Sequence, residues 1–111
     1  MYNVYIYVFL FFCIVIPIIK KGPKNIVKLA GEDVVFDCIV DGKPVPSTFW
    51  LFQNGNISTN HTISRNGSLE LYKVQNTSAY EGSYSCYAEN KAGKSENSNA
   101  SLTVHGKLDF N

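Results

Sequence analysis

Cys38 and Cys86 bracket Trp50, and Tyr84 stands two residues before the second cysteine. This Cys…Trp…Tyr-x-Cys arrangement restricts the possible folds more than any other feature of the chain. Around its members, apolar residues alternate with polar ones. Val34, Phe36 and Cys38 share one side of an extended segment. So do Leu69 and Leu71, then Tyr84, Cys86 and Ala88, then Ala100, Leu102 and Val104. A period of two puts each set on one face of a half-buried strand. No stretch carries a helical period of useful length.

Turn signals fall regularly between these segments, as expected for short strands. Gly31-Glu32-Asp33 precedes the strand over 34–38. Residues 41–46 are expected to form a loop, because Pro44 and Pro46 cannot both sit in a central strand. A strand over 48–52 carries Trp50 inward. Asn54-Gly55 is a strong tight-turn dipeptide, and 56–60 reads as a loop or short edge strand. A strand over 62–65, the Asn66-Gly67 turn and a strand over 68–72 follow. A corner over 74–82 leads to a strand over 83–89, a turn at 90–93 and a last strand over 99–104.

Three segments carry a family resemblance. They are Gly-x-x-Val-x-Phe-x-Cys ending at Cys38, Asn-Gly-Ser-Leu-x-Leu ending at Leu71, and Gly-x-Tyr-x-Cys-x-Ala-x-Asn-x-x-Gly ending at Gly93. On these motifs the chain resembles an immunoglobulin-like domain of the I-set, from Pro17 to His105. Such domains occur in adhesion molecules, roundabout-like guidance receptors and peroxidasin-like matrix proteins. The resemblance implies an all-β, two-sheet Greek-key sandwich. It also implies a Cys38–Cys86 disulfide between the sheets, Trp50 filling the space beside it, and Tyr84 turning its hydroxyl back to the chain upstream. One position departs from the pattern. The aspartate usual two residues before the corner glycine is Tyr80, so a corner ion pair or hydrogen bond is expected to be missing.

The length of 111 residues suits one domain. Residues 17–105 are assigned to it, and 106–111 to a linker or tail. Residues 1–16 form an apolar leader, and no charged side chain occurs from Tyr2 to Ile19. It reads as a secretory signal, a membrane anchor or an incorrect start to a fragment of a longer protein. The anchor reading conflicts with Lys20 and Lys21, which would hold the following domain in the cytosol. Cys13 lies in this leader and is not expected to pair with Cys38 or Cys86.

The formal net charge of +1, without a long run of one sign, argues against nucleic acid as a partner. Asn56, Asn60, Asn66, Asn76 and Asn99 each begin an Asn-x-Ser/Thr sequon. Five exceeds the one or two that chance would give among 11 asparagines, so glycosylation is expected. If Trp50 and Cys86 face inward, then Phe49, Leu51, Ser85 and Tyr87 face outward on the same sheet. Phe49, Leu51 and Tyr87 make a candidate contact patch. His61 and His105 lack metal-ligand spacing, and no nucleophile, phosphate loop or paired-carboxylate motif is visible. No catalysis, cofactor, metal or small-molecule substrate is expected.

The expected role is an extracellular or cell-surface recognition module for adhesion or receptor–ligand binding. Its partners would be a protein ligand or neighbouring Ig-like domains, with membrane contact only through a parent protein or the leader. The alternative is a spacer domain of a matrix or muscle filament protein.

Overall fold

The computed structural model describes residues 6–9 and 12–106, with side chains from residue 14 onward. Residues 1–5, 10 and 11 of the leader, the Cys13 side chain and residues 107–111 of the tail lie outside that description. The described residues form strands β1 (Ile6–Phe9), β2 (Phe12–Lys21), β3 (Ile26–Leu29), β4 (Val34–Phe36), β5 (Ile39–Lys43) and β6 (Ser47–Phe52). They continue with β7 (His61–Ile63), β8 (Leu69–Leu71), β9 (Gly82–Asn90), β10 (Gly93–Lys94) and β11 (Ser98–His105). Among the described residues no helix is long and apolar enough to cross a membrane.

The strands make the expected two-sheet sandwich. One sheet is centred on β9, which pairs antiparallel with β6 on one side and β11 on the other. Strand β3 extends it by running parallel to β11, from Ile26 opposite Leu102 to Leu29 opposite His105. The facing sheet is β4-β8-β7. A third ladder joins β1, β2 and β5. The inward positions fill the core. Val34, Phe36, Leu69, Leu71 and Val74 meet Trp50, Tyr84, Cys86, Ala100, Leu102 and Val104 between the sheets. Phe36 bridges the two sides, its ring centroid 6.1 Å from that of Trp50 and 5.3 Å from that of Tyr84. Cys38 and Cys86 are bonded and fully buried in this layer.

Trp50 and Tyr84 each bury a large ring and satisfy its polar atom. Trp50 Nε1 donates to the carbonyl of Gly67 at 2.7 Å. Tyr84 donates its hydroxyl to the carbonyl of Tyr80 at 2.6 Å. Such pairing matters because an unmatched buried donor costs about 1–3 kcal/mol. The second is the upstream bond expected of Tyr84, and its acceptor is a backbone carbonyl that any residue at position 80 supplies. The Tyr80 ring packs against the core.

Two expectations are revised. Asp41, Gly42 and Lys43 lie in β5, not in a loop. They are held by β2, where Ile18 stands opposite Asp41 and Val15 opposite Lys43. Only Pro44, Val45 and Pro46 stay outside the strands. Pro17, fully buried, is tolerated within β2 because the register shifts by one residue between Val15 and Ile18, and a bulge releases one ladder bond. The tight turn after β6 is also displaced by one residue. Its left-handed central pair is Gln53 (φ 51°) and Asn54 (φ 63°), closed by reciprocal Phe52–Gly55 backbone bonds of 2.9 Å.

Side chains help to complete two strands where the regular ladder stops. Beyond β6, Gln53 donates its backbone N–H to the carbonyl of Ser83 at 2.8 Å, and its Oε1 accepts from Ser83 N at 2.6 Å. Beyond the last β9–β11 pair, Glu81 Oε1 accepts from Val104 N at 2.8 Å. The Asn76 side-chain amide, oriented to match its neighbours, donates to Val104 O at 3.1 Å and to Glu81 Oε2 at 3.0 Å.

Candidate contact face

The strand register decides which side chains meet on the outer side of the β9 sheet. Phe49 stands opposite Tyr87, and Leu51 opposite Ser85. Their neighbours Trp50, Tyr84 and Cys86 point into the core, so these four point away from it. The Phe49 and Tyr87 rings stack with centroids 5.2 Å apart and planes 19° apart. Phe49 remains 40% exposed, and Tyr87 and Leu51 are half-buried. The candidate patch is therefore one contiguous surface.

Lys94 belongs to this surface and was not singled out from the sequence. Its Nζ lies 5.0 Å from the Tyr87 ring centroid, a cation–π distance. The 91–92 turn brings it there, since β10 folds back on β9 with Lys94 opposite Glu89. The signal was the turn at 90–93, which sets that register.

Ser85 points outward but is only 4% exposed. It stands between Leu51 on β6 and Asn99 on β11, in one row across three strands. Its small side chain lies below its neighbours and forms the floor of the face.

All five sequon asparagines are exposed. Asn56 and Asn60 lie in the loop between β6 and β7. Asn66 Oδ1 accepts from Ser68 N at 3.0 Å and from Ser64 Oγ at 2.5 Å, which builds the turn beneath Trp50. The amide nitrogen of Asn76 is engaged with Val104 and Glu81, as described above. Asn99 projects from β11 on the same side as Leu51.

The opposite sheet offers a weaker alternative. Val35 is exposed there, Ile39 is exposed on β5 of the third ladder, and the Tyr72 hydroxyl is already engaged, 3.0 Å from Thr62 Oγ1 and 3.2 Å from Glu70 Oε2. Among the described residues, no group of three or more His, Cys, Asp or Glu is placed to hold a metal ion.

Comparison with known proteins agrees with this architecture. The family model of the immunoglobulin I-set domain matches residues 17–104. Human Roundabout homolog 1 is 36% identical over 89 residues, which is 79% of this chain and 5% of that protein. Mouse hemicentin-1 is 37% identical over 92 residues, 79% of this chain and 2% of that protein. Rat immunoglobulin superfamily member 10 is 36% identical over 83 residues, 70% of this chain and 3% of that protein. The chain thus matches only a small part of each relative. Among solved structures, extracellular domains of Drosophila OTK superpose with a TM-score of 0.70 at 28% identity, covering 80% of this chain and 31% of that one. The titin z1z2 domains, solved in complex with telethonin, give 0.70 at 26% identity, covering 82% of this chain and 48% of that one.

Proposed function

The chain belongs to the immunoglobulin I-set family, and from that membership we propose that it is an extracellular recognition module acting through protein–protein contact. The Phe49–Tyr87 stack carries this reading. It sets two aromatic rings on an open sheet face beside Leu51, with Lys94 over one ring. Aromatic side chains are enriched at protein contacts, and tyrosine is among the residues that dominate their energetics. The partner is a protein ligand or a neighbouring Ig-like domain. The Cys38–Cys86 bridge and the exposed sequons support a location on the oxidising side of the membrane.

The test is a binding screen. The domain, secreted from a eukaryotic host and multimerised, is presented to an array of purified receptor ectodomains and to itself. Leu51→Asp should abolish the contact found while leaving the melting temperature close to wild type, since the side chain is half-buried on an open face. A partner that binds Leu51→Asp as well as wild type would move the contact to the opposite sheet, around Val35, Ile39 and Tyr72. A domain that binds nothing, both with its N-glycans and after their enzymatic removal, would instead be a spacer.

A further inference from the structure

We propose that Asn99 is an N-glycan acceptor whose oligosaccharide lies over Leu51 and governs access to the Phe49–Tyr87 face. Its consequence for binding rests on the contact reading above, while its geometry does not. Three observations converge. Asn99-Ala100-Ser101 is a sequon in which Ala100 is buried, so Asn99 and Ser101 both point outward from β11. Asn99, Ser85 and Leu51 form one row across β11, β9 and β6. Two strand spacings put Asn99 and Leu51 about 10 Å apart along the sheet. Ser85 is the only residue between them and lies low, so no tall side chain blocks a sugar laid across the row. Ser83 and Ser101, opposite each other in the next row, add hydroxyls beside the same path.

The other sequons lack this combination. Attachment at Nδ2 leaves a single N–H, and the Asn76 amide nitrogen makes two hydrogen bonds in the fold. Asn66 lies in the turn between β7 and β8, away from the β9 row. Asn56 and Asn60 lie in a loop outside the β9 row. Among the described residues, the Asn99 side chain makes no hydrogen bond that a glycan would break.

The chemistry is a group transfer from a polyprenyl-pyrophosphate-linked oligosaccharide. Nδ2 of Asn99 attacks the anomeric carbon of the first sugar. The bond from that carbon to the pyrophosphate oxygen breaks, the Nδ2–C bond forms, and one amide proton passes to a base of the transferase. Polyprenyl pyrophosphate leaves. The transfer takes place on the extended chain in the secretory lumen, where the Cys38–Cys86 bridge also forms.

The test compares secreted wild type with Ser101→Ala, which removes the sequon and keeps Asn99. Asn99→Gln is the second variant. Enzymatic release of glycans should convert Asn99 to aspartate in the wild type. Hydroxyl-radical footprinting should then show Leu51 and Phe49 oxidised several-fold more slowly in wild type than in both variants, with Val35 on the opposite sheet unchanged. An unmodified Asn99, or equal oxidation of Leu51 in all three proteins, overturns the proposal. Association measured on the same samples separates the two readings. If protection holds and the variants bind no better than wild type, the contact reading fails and the glycan placement stands.

Discussion

The indole N–H of Trp50 ends on the carbonyl of Gly67, 2.7 Å away and 17 residues along the chain. The core tryptophan is thereby tied to the turn between β7 and β8. That turn admits little else. Gly67 has φ +97°, and a Cβ there would stand 2.8 Å from the carbonyl oxygen of Cys38 and 2.9 Å from Thr48 Oγ1.

Gly67→Ala should therefore destabilise the domain by about 1–3 kcal/mol, from left-handed backbone strain and a collision with backbone that cannot rotate away. Urea unfolding followed by Trp50 fluorescence measures it. An unchanged midpoint would mean that the turn relaxes without disturbing the tryptophan. The substitution leaves the Asn66 sequon intact, so glycan occupancy does not confound the reading.

Removing the bridge should cost more. The bond between Cys38 and Cys86 spans a sequence separation of 48. Cys38→Ala with Cys86→Ala should lower stability by about 2–5 kcal/mol, the range for native disulfides. Differential scanning calorimetry of the double variant gives the figure. Recovery of both thiols free from secreted wild-type protein would remove the bridge from the extracellular reading.

Tyr84 gives a pH signature. Burial, reinforced by the nearby Tyr80 phenol, pushes the Tyr84 phenol well above its ordinary value. An unfolded chain releases this proton at about pH 10, whereas the folded domain keeps it. Above that pH the folded state binds more protons, so stability falls as pH rises toward the folded value. Below about pH 10 the contribution is fully present. Tyr84→Phe should cost about 1 kcal/mol at neutral pH through loss of the bond to Tyr80. It should also flatten the alkaline decline. Unfolding midpoints at about pH 9 and about pH 11 test both effects, and equal alkaline slopes in the two proteins would refute the assignment to Tyr84.

Glu81→Ala should destabilise by about 1–2 kcal/mol, because Val104 N and the Asn76 amide both lose an acceptor. Asn76→Ala should have a smaller effect of the same sign. Ser78→Ala removes the sequon at Asn76 without touching the hydrogen bonds, and should leave stability of unglycosylated protein unchanged. A loss in Ser78→Ala equal to that in Asn76→Ala would contradict the role given to the amide.

Much of this arrangement was legible in the sequence, and the reason is local. Alternation at Val34, Phe36 and Cys38, at Leu69 and Leu71, and at Ala100, Leu102 and Val104 reports which face of each strand is buried. Trp50, together with the alternation of Tyr84, Cys86 and Ala88, set the phase of β6 and β9, and with it the outward positions of Phe49, Leu51 and Tyr87. The misread positions depend on partners distant in the chain. Asp41-Gly42-Lys43 looks like a turn until β2 is placed alongside. Ser85 is outward by phase and hidden only because Leu51 and Asn99 flank it. Gln53 takes a left-handed φ beside Asn54, where its side chain reaches Ser83. Tyr80 accepts the Tyr84 hydroxyl through its backbone, a role its side chain does not signal. The bonds from Asn76 and Glu81 to Val104 have no sequence signature, because their acceptor and donor lie on the backbone.

Gln53, Asn76 and Glu81 finish strands that the main chain leaves short. At Ser83 and at Val104 they occupy both the donor and the acceptor of one residue. Both residues belong to interior strands and lie just past the last pair of a neighbouring strand, where their N–H and C=O would otherwise lack a partner. Water competing for these groups would have to displace a partner tethered beside them, present at high effective concentration. At these two ends of the sandwich, one main-chain N–H, two side-chain amides and a carboxylate hold the ladder closed against fraying.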